Sequence, residues 1–250
     1  MAEGSTITYT ASVDNAPSGS DLVLTLSNGQ TITIVAGATS GSVDYTVRAD
    51  DPYVQGTVGL PAVTIASTSG NVTAVAIAST GNAAVATGNA TSGAITLNAS
   101  QNTTGGALTT GTAASDGFGV TALTGNITVQ AGSGNATVST SATTGNATNS
   151  GTGGATSGSI VVSSTSGNVT NVATATTGNA TSSTGNATSG SVTLTAGVDA
   201  TGGSLTTGTA NASLGEAFSG NVTVTAGTGN VTNVTSAVTG ASSAGTGNAT

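Results

Sequence analysis

Carboxylates carry most of the reactive chemistry in this sequence, and six of the nine acidic residues lie in the first 60 positions. Glu3, Asp14, Asp50 and Asp51 stand near the ends of predicted strands, and carboxylate oxygens are ligands that Ca²⁺ prefers. We therefore treat these four residues as candidate calcium ligands. The alternative for Asp50 and Asp51 is a solvated turn beside Arg48, the only cation of the chain, because aspartate and the proline that follows both favour turns.

The side chains that most enzymes need are scarce. The chain has no His, no Cys and no Lys. Ser and Thr are abundant, but a hydroxyl needs a neighbouring base before it becomes a nucleophile. A glycosidase needs two carboxylates across a cleft, and here they could come only from residues far apart in sequence. We predict that the chain is not an enzyme.

Charge and hydropathy limit the partners. A net charge of -8 with a single Arg leaves nothing to neutralise phosphates, so we expect no nucleic-acid binding and no attachment to anionic membranes. No apolar run approaches the roughly 20 residues that span a bilayer, so we expect no membrane insertion. A hydrophobic fraction of 36% also excludes the charged, apolar-poor class of disordered chain. It leaves open a flexible tract rich in Gly, Ser and Thr.

Residues 1–60 have the pattern of an antiparallel β module. The stretch "STITYTASV" alternates apolar and polar residues, as a half-buried strand does. "LVLTL" and "TITIV" flank "SNGQ", where Asn28-Gly29 is a strong hairpin signal because a type I′ turn needs positive φ. "SVDYTVRAD" supplies a further strand, and "GLPAVTIAST" is expected to add one more. The pattern predicts an immunoglobulin-like sandwich, either complete or incomplete, since the strands recognised are fewer than the roughly seven of the full domain.

The ordered phrases "EGSTITYTASVDNAPSGSDLVLTLSNGQTITI" and "GATSGSVDYTVRADDPYVQG" closely resemble the tandem immunoglobulin-like extender repeats of giant bacterial surface adhesins, the RTX and biofilm adhesins, over residues 2–58. The resemblance implies a secreted segment at the bacterial cell surface, exported by type I secretion. That route agrees with an N-terminus that shows no secretory signal peptide. It also implies calcium at a module junction, bound by Asp50 and Asp51 with Asp14 or Glu3 as helpers.

Residues 61–250 contain two copies of a long repeat, assigned to 61–157 and 158–250. "STSGNVT" at 67 and 164, and "TGNATSG" at 87 and 184, are each 97 residues apart, and later matches are 95 apart. Shorter echoes share a Gly turn followed by a few alternating residues: "GAITLNAS", "GNITVQAG", "GSIVVSST", "GSVTLTAG" and "GNVTVTAG". Repeated short strands separated by turns predict a β-solenoid, in which stacking of coils completes one core.

Other interpretations of the repeat region stay open at this point. The repeats weakly resemble the β-helix of filamentous-haemagglutinin-like exoproteins. A disordered tract, another β arrangement and a frameshift near residue 60 are the alternatives. Thr-x-Thr pairs could form a flat face that binds ice or glycan. Phe118 and Phe218, each close behind an acidic residue, are expected to plug the core, with an exposed ligand loop as the alternative.

The sequence as a whole predicts an all-β segment of a large secreted bacterial surface protein. Its expected role is extension from the cell, adhesion or association in a biofilm matrix. Expected partners are neighbouring modules of the same chain, further copies of the chain, or a surface or glycan ligand. A passive flexible linker is the other alternative.

Overall fold

The computed structural model describes residues 6–26, 29–46 and 57–250, and this part of the chain is all-β, without a helix. The predicted fold class is therefore confirmed, including the β-solenoid. The first four strands belong to the N-terminal module: β1 (Thr6–Ser12), β2 (Leu22–Thr25), β3 (Thr31–Ile34) and β4 (Ser40–Thr46).

The N-terminal module consists of two antiparallel pairs, β1 with β4 and β2 with β3. The predicted hairpin forms, and Gly29 has the positive φ, 82°, that its turn requires. Inward positions of the alternating strands supply the core, including Tyr9, Ile32 and Ile34. Because the described part of the module holds four strands and the full domain about seven, the immunoglobulin-like sandwich stays a prediction.

Residues 57–250 wind through six coils, and each coil adds one strand to each of four parallel sheets, except that the sixth coil adds two short strands to one of them. We name the sheets IV, I, II and III in the order in which each coil passes through them.

Sheet I contains β6 (Val63–Ser67), β10 (Ile95–Ala99), β14 (Ile127–Ala131), β18 (Ile160–Ser164), β22 (Val192–Ala196) and β26 (Val222–Ala226). Sheet II contains β7 (Val72–Ser79), β11 (Thr103–Thr109), β15 (Ala136–Thr143), β19 (Val169–Thr176), β23 (Ala200–Thr206), β27 (Val231–Thr232) and β28 (Ser236–Val238).

Sheet III contains β8 (Ala83–Val85), β12 (Ala113–Ser115), β16 (Ala147–Asn149), β20 (Ala180–Ser182), β24 (Ala210–Ala212) and β29 (Ser242–Ala244). Sheet IV contains β5 (Thr57–Gly59), β9 (Asn89–Thr91), β13 (Ala122–Leu123), β17 (Ala155–Thr156), β21 (Ala187–Thr188) and β25 (Ala217–Phe218).

The register of sheet I explains both periods found in the sequence. Val63, Ile95, Ile127 and Ile160 pair in succession, so three coils span the 97-residue repeat (160 − 63 = 97). From Ile127 to Val222 three coils span only 95 residues (222 − 127 = 95), because the fifth coil is shorter. The five short echoes in the sequence are successive strands of this one sheet.

The solenoid core has two parts of different chemistry. Between sheets I and II it is built from Val, Ile and Leu, of which Leu97, Leu108, Ile127 and Leu194 are fully buried. Between sheets III and IV the fully buried apolar side chains are all Ala. Because an Ala side chain is a single carbon, sheets III and IV can pack closely, which gives the coil a wide and a narrow end.

The N-terminal module covers the first coil and shares its core. Ile7 and Tyr9 belong to the same apolar cluster as Val63 and Val72, and Val13 forms an antiparallel bridge to Val75. This coverage shields apolar side chains at that end, as capping elements do in repeat proteins. One prediction is corrected here: "GLPAVTIAST" adds no strand to the N-terminal module, because its strand, β6, is the first strand of sheet I.

Tyr9 sits in this shared core with its hydroxyl buried and without a hydrogen-bond partner among the described residues. Burial, and then the neighbouring Tyr45, raise the pKa of Tyr9 to about 12. Since the unfolded chain loses this proton near pH 10 and the folded chain keeps it longer, stability should fall as pH rises from about 10 to 12.

Replacing Tyr9 with Phe should therefore leave the free energy of unfolding at pH 7 unchanged or raise it by about 1 kcal/mol, because no hydrogen bond is lost. The variant should also lose less stability than the wild type between about pH 10 and 12. Urea unfolding across this range measures both effects. Identical pH dependence of the two proteins would contradict the buried, unpaired hydroxyl.

Candidate functional site

Two columns of buried hydroxyl groups lie between the Val/Ile/Leu core of sheets I and II and the Ala core of sheets III and IV. The hydroxyls stand at the sheet II–III corner and the sheet IV–I corner, directly before a Gly in each case. Thr144 shows the pattern: its Oγ1 donates to the Gly158 carbonyl at 2.9 Å and accepts from the Gly178 N–H at 2.9 Å. The members are Thr80, Thr110, Thr144, Thr177 and Thr207 in the first column, and Ser92, Thr124, Ser157 and Ser189 in the second.

This hydroxyl layer satisfies the corner backbone, which would otherwise be buried unpaired. Ser92 donates to the Gly111 carbonyl at 2.7 Å, and the Gly125 N–H donates to Ser92 at 3.0 Å. A neighbouring coil thus supplies the partner for each corner amide. Because buried polar groups without partners are costly, the layer ties each coil to the next one.

Asn side chains form a third column on the outside, at the sheet I–II corner. The side-chain oxygen of Asn71 accepts the backbone N–H of Asn102 at 3.0 Å, and Asn102 repeats this with Asn135 at 2.8 Å. The column continues through every coil as Asn71, Asn102, Asn135, Asn168, Asp199 and Asn230. Asn-x-Ser/Thr triplets begin at all of these positions except Asp199, and their Asn side chains are part of the fold.

The outer faces of the sheets carry no charge. In residues 57–250 the three acidic residues, Asp116, Asp199 and Glu216, all lie between strands. On sheet I one outward column is mostly Thr, but Val161 interrupts it. Thr stands in both outward columns only on the last two strands, at 193/195 and 223/225. A regular flat Thr face, which ice binding would need, is therefore missing from sheet I.

The candidate calcium ligands are mostly outside the described part. Glu3, Asp50 and Asp51 lie outside the described residues, and Asp14 is exposed in the bend after β1. Within the described ranges, no three acidic, His or Cys side chains group in a way that could hold a metal ion. The calcium site therefore stays a prediction.

The prediction that Phe118 and Phe218 plug the core is wrong. Phe118 is 89% exposed on the loop between β12 and β13, and Phe218 is half-buried on the outer face of sheet IV. The two are not equivalent in register, since Leu123 is the residue that aligns with Phe218 through Thr156 and Thr188. Phe118 and Phe218 fall at similar positions of the two long repeats because the loops before β13 and β25 differ in length.

An open cleft of about 570 Å³ separates the β2–β3 hairpin from the first coil. Leu24, Ile65, Val72 and Val75 are among its lining residues. The cleft shows that the N-terminal module covers the first coil only in part. Ile65, for example, is half-buried, whereas Leu97, its partner in the next coil, is fully buried.

The buried hydroxyls were the functional feature that sequence analysis missed. The alternation of apolar and polar residues along the strands predicts that Val, Ile, Leu and Ala face the core. It predicts that Thr and Ser face solvent or stack in rows along the outside. The signal was present as Thr-Gly or Ser-Gly before a strand at two of the four corners, as in "TTGN" and "TSGS". A hydroxyl followed by Gly at a fixed interval is the pattern that predicts such a layer.

Comparison with known families gives a match over the first part of the chain. A family model described as the LapA domain, related to a biofilm-associated adhesin, matches residues 1–89. The matched part includes the N-terminal module and the whole first coil, so it extends beyond residues 2–58, where the sequence resembled adhesin repeats. No curated protein and no solved structure matches the chain. The described ranges also hold no helix long and apolar enough to cross a membrane.

Proposed function

We propose that the chain is a structural and adhesive segment of a large secreted bacterial surface protein. It extends a binding end from the cell and associates with surfaces or with a biofilm matrix. The LapA match over residues 1–89 supports an adhesin-related role at the cell surface. Export by type I secretion belongs to this proposal.

The observation that carries the proposal is the continuity of the solenoid with the matched module. Ile7 and Val13 pack on the first coil, and the hydroxyl layer and the Asn column then join one coil to the next. A rod of stacked coils transmits force through many backbone hydrogen bonds at once. Its uncharged sheet faces present little electrostatic repulsion to a neighbouring rod or to a neutral surface.

Attachment under flow tests this proposal. Beads coated with the whole chain should be retained on glass or on beads coated with the same chain. Beads coated with a variant carrying Gly158→Val and Gly190→Val should wash off like bare beads, because both substitutions place a side chain against corner backbone. Equal retention of the two proteins would overturn the proposal, since a passive tether needs no coils. Failure of both to attach would overturn it as well.

A further inference from the structure

One corner of the solenoid concentrates features that are rare in the rest of residues 57–250. Both Phe residues and two of the three acidic residues of 57–250 lie at the sheet III–IV corner or on the short sheet IV strand that follows it. Two exposed Leu residues lie there too, 41% and 57% exposed. We call this surface the aromatic–acidic edge. Its residues are Asp116, Phe118, Leu123, Leu214, Glu216 and Phe218.

The loop that presents Phe118 is built into the fold and is longer than its counterparts. Six residues, 116–121, connect β12 to β13, whereas four connect β20 to β21 and β24 to β25. Asn149 of the next coil donates from Nδ2 to the Val120 carbonyl at 2.6 Å. Ser150 donates to the Asp116 carboxylate, and the Gly119 N–H donates to Thr152 Oγ1 at 2.6 Å.

Holding this loop has an energetic cost. Asn149 is 1% exposed, and its Oδ1 has no hydrogen-bond partner among the described residues. Ser115 and Ser182 occupy the same position in the coils on either side, and their hydroxyls donate to backbone carbonyls. A Ser at 149 would therefore suit the coil better than Asn does. Asn149 thus leaves one buried oxygen unpaired while its Nδ2 holds the loop in place. Local conflicts of this kind are typical of functional sites.

A shallow recess lies beside this loop. It measures about 240 Å³ and is lined by Ala84, Ala86, Ala114 and Asp116, together with Val85. Later coils carry larger outward residues in the same column of sheet III, such as Thr148 and Thr181. The small residues of the first two coils thus leave room for an aliphatic stem next to a carboxylate.

The chemistry of the edge selects a cationic partner. A carboxylate beside an exposed aromatic ring attracts an ammonium or guanidinium group, through charge and through the face of the ring. Residues 57–250 contain no Lys or Arg that could compete for it, and the chain has a net charge of -8. A second copy of the chain, with its single Arg48, has little to offer this edge.

We propose that the aromatic–acidic edge docks an extended, basic segment of a protein partner. The Asp116–Phe118 and Glu216–Phe218 pairs are three coils apart, which is about 14 Å along the stack at the usual strand spacing, and they stand in neighbouring columns, since Ser115 aligns with Ala212 and Leu123 with Phe218. An extended peptide covers the distance along the stack in about four residues, and the flexible stem of a Lys or Arg side chain reaches across to the neighbouring column. A partner strand with Lys or Arg at positions i and i+4 therefore reaches both pairs. The inference deepens the proposed adhesive role and rests on it for its biological setting.

Peptide binding to the soluble chain tests this without any surface, so its outcome is separate from bead attachment. The probe is a fluorescent Ser/Thr peptide with Lys at i and i+4. It should bind at least about fivefold more tightly than the same composition with adjacent Lys, and binding should weaken with salt. Phe118→Ala and Asp116→Asn should each reduce affinity about fivefold or more. Val198→Ser, at another corner, is the control and should change nothing.

Asn149→Ser separates this role from stability. The variant removes the loop anchor and the unpaired oxygen together, so binding should fall about fivefold while the melting temperature stays level or rises. Unchanged binding in Phe118→Ala and Asn149→Ser would overturn the proposal. Stronger binding to a partly deacetylated glucosamine polymer than to the peptide would overturn the choice of a protein partner. Chain self-association that is lost in Phe118→Ala would overturn it in favour of a second copy.

Discussion

Replacing Gly158 with Ala should lower the free energy of unfolding by about 3 kcal/mol or more, although it adds a single methyl group. The new Cβ would lie less than 3.0 Å from the Gly125 carbonyl oxygen of the previous coil, a distance that real Cβ atoms do not show. Because the obstacle is backbone, the coils themselves would have to separate. The same change would strain the 2.7 Å hydrogen bond from the Gly158 N–H to Thr124.

Gly59→Ala is the matched control for this prediction. Gly59 lies in β5 of the first coil, and a Cβ there meets no heavy atom within 4 Å. The free energy of unfolding of the Gly59→Ala variant should stay within about 0.5 kcal/mol of the wild-type value. Urea unfolding followed by circular dichroism measures both variants. Equal midpoints for Gly158→Ala and Gly59→Ala would show that the coils do not approach each other as described.

Replacing Thr144 with Val should cost about 2–5 kcal/mol, because the change keeps the side-chain shape and removes one oxygen. That oxygen serves both the Gly158 carbonyl and the Gly178 N–H, and the residue is 2% exposed. Each buried backbone group that loses its partner is destabilising by about 1–3 kcal/mol. If Thr144 only packed its methyl group in the core, replacing it with Val would leave the free energy of unfolding unchanged.

Thr148→Val gives the comparison within the same coil. Thr148 is exposed on the outer face of β16, four residues further along the chain. Valine suits a strand as well as threonine does, so this variant should lie within about 0.5 kcal/mol of the wild type. Equal losses in both variants, measured by thermal unfolding, would contradict a special role for the buried hydroxyl.

The solenoid could be predicted because its signal is repeated. In "AITLNA" and "NITVQA" the inward residues stand two apart, as in Ile95, Leu97 and Ala99, and the structure buries all three. A linker has no reason to keep that alternation through every echo. The five short echoes recur once in every coil after the first, at intervals of 30 to 33 residues, so the division of the long repeat into three coils is also present in the sequence.

The chemistry of the edge could not be predicted from periodicity. Phe118 lies near the same repeat position as Phe218, and a large aromatic residue in a chain of small ones suggests a core plug. Whether Phe118 lies in the core or on the surface depends on Asn149, Ser150 and Thr152 of the next coil, which hold its loop outward. Contacts between coils of this kind leave no local pattern in the loop itself.

The hydroxyl layer lies between these two cases. Thr and Ser before Gly look like ordinary turn residues, for which solvent exposure is the usual expectation. They are buried because the corner Gly residues let the backbones of neighbouring coils approach closely. The backbone carbonyls and N–H groups at these corners, such as those of Gly111 and Gly125, then need hydrogen-bond partners from within the chain.

Amide hydrogen exchange at the corner glycines tests the central claim most directly. The N–H groups of Gly125, Gly158 and Gly190 donate to buried hydroxyls of the preceding coils. Measured by NMR on the whole chain, they should exchange as slowly as the amides of the central sheet I strands. Exchange of these glycines at the rate of an unstructured peptide would contradict the stacked coils and the hydroxyl layer that joins them.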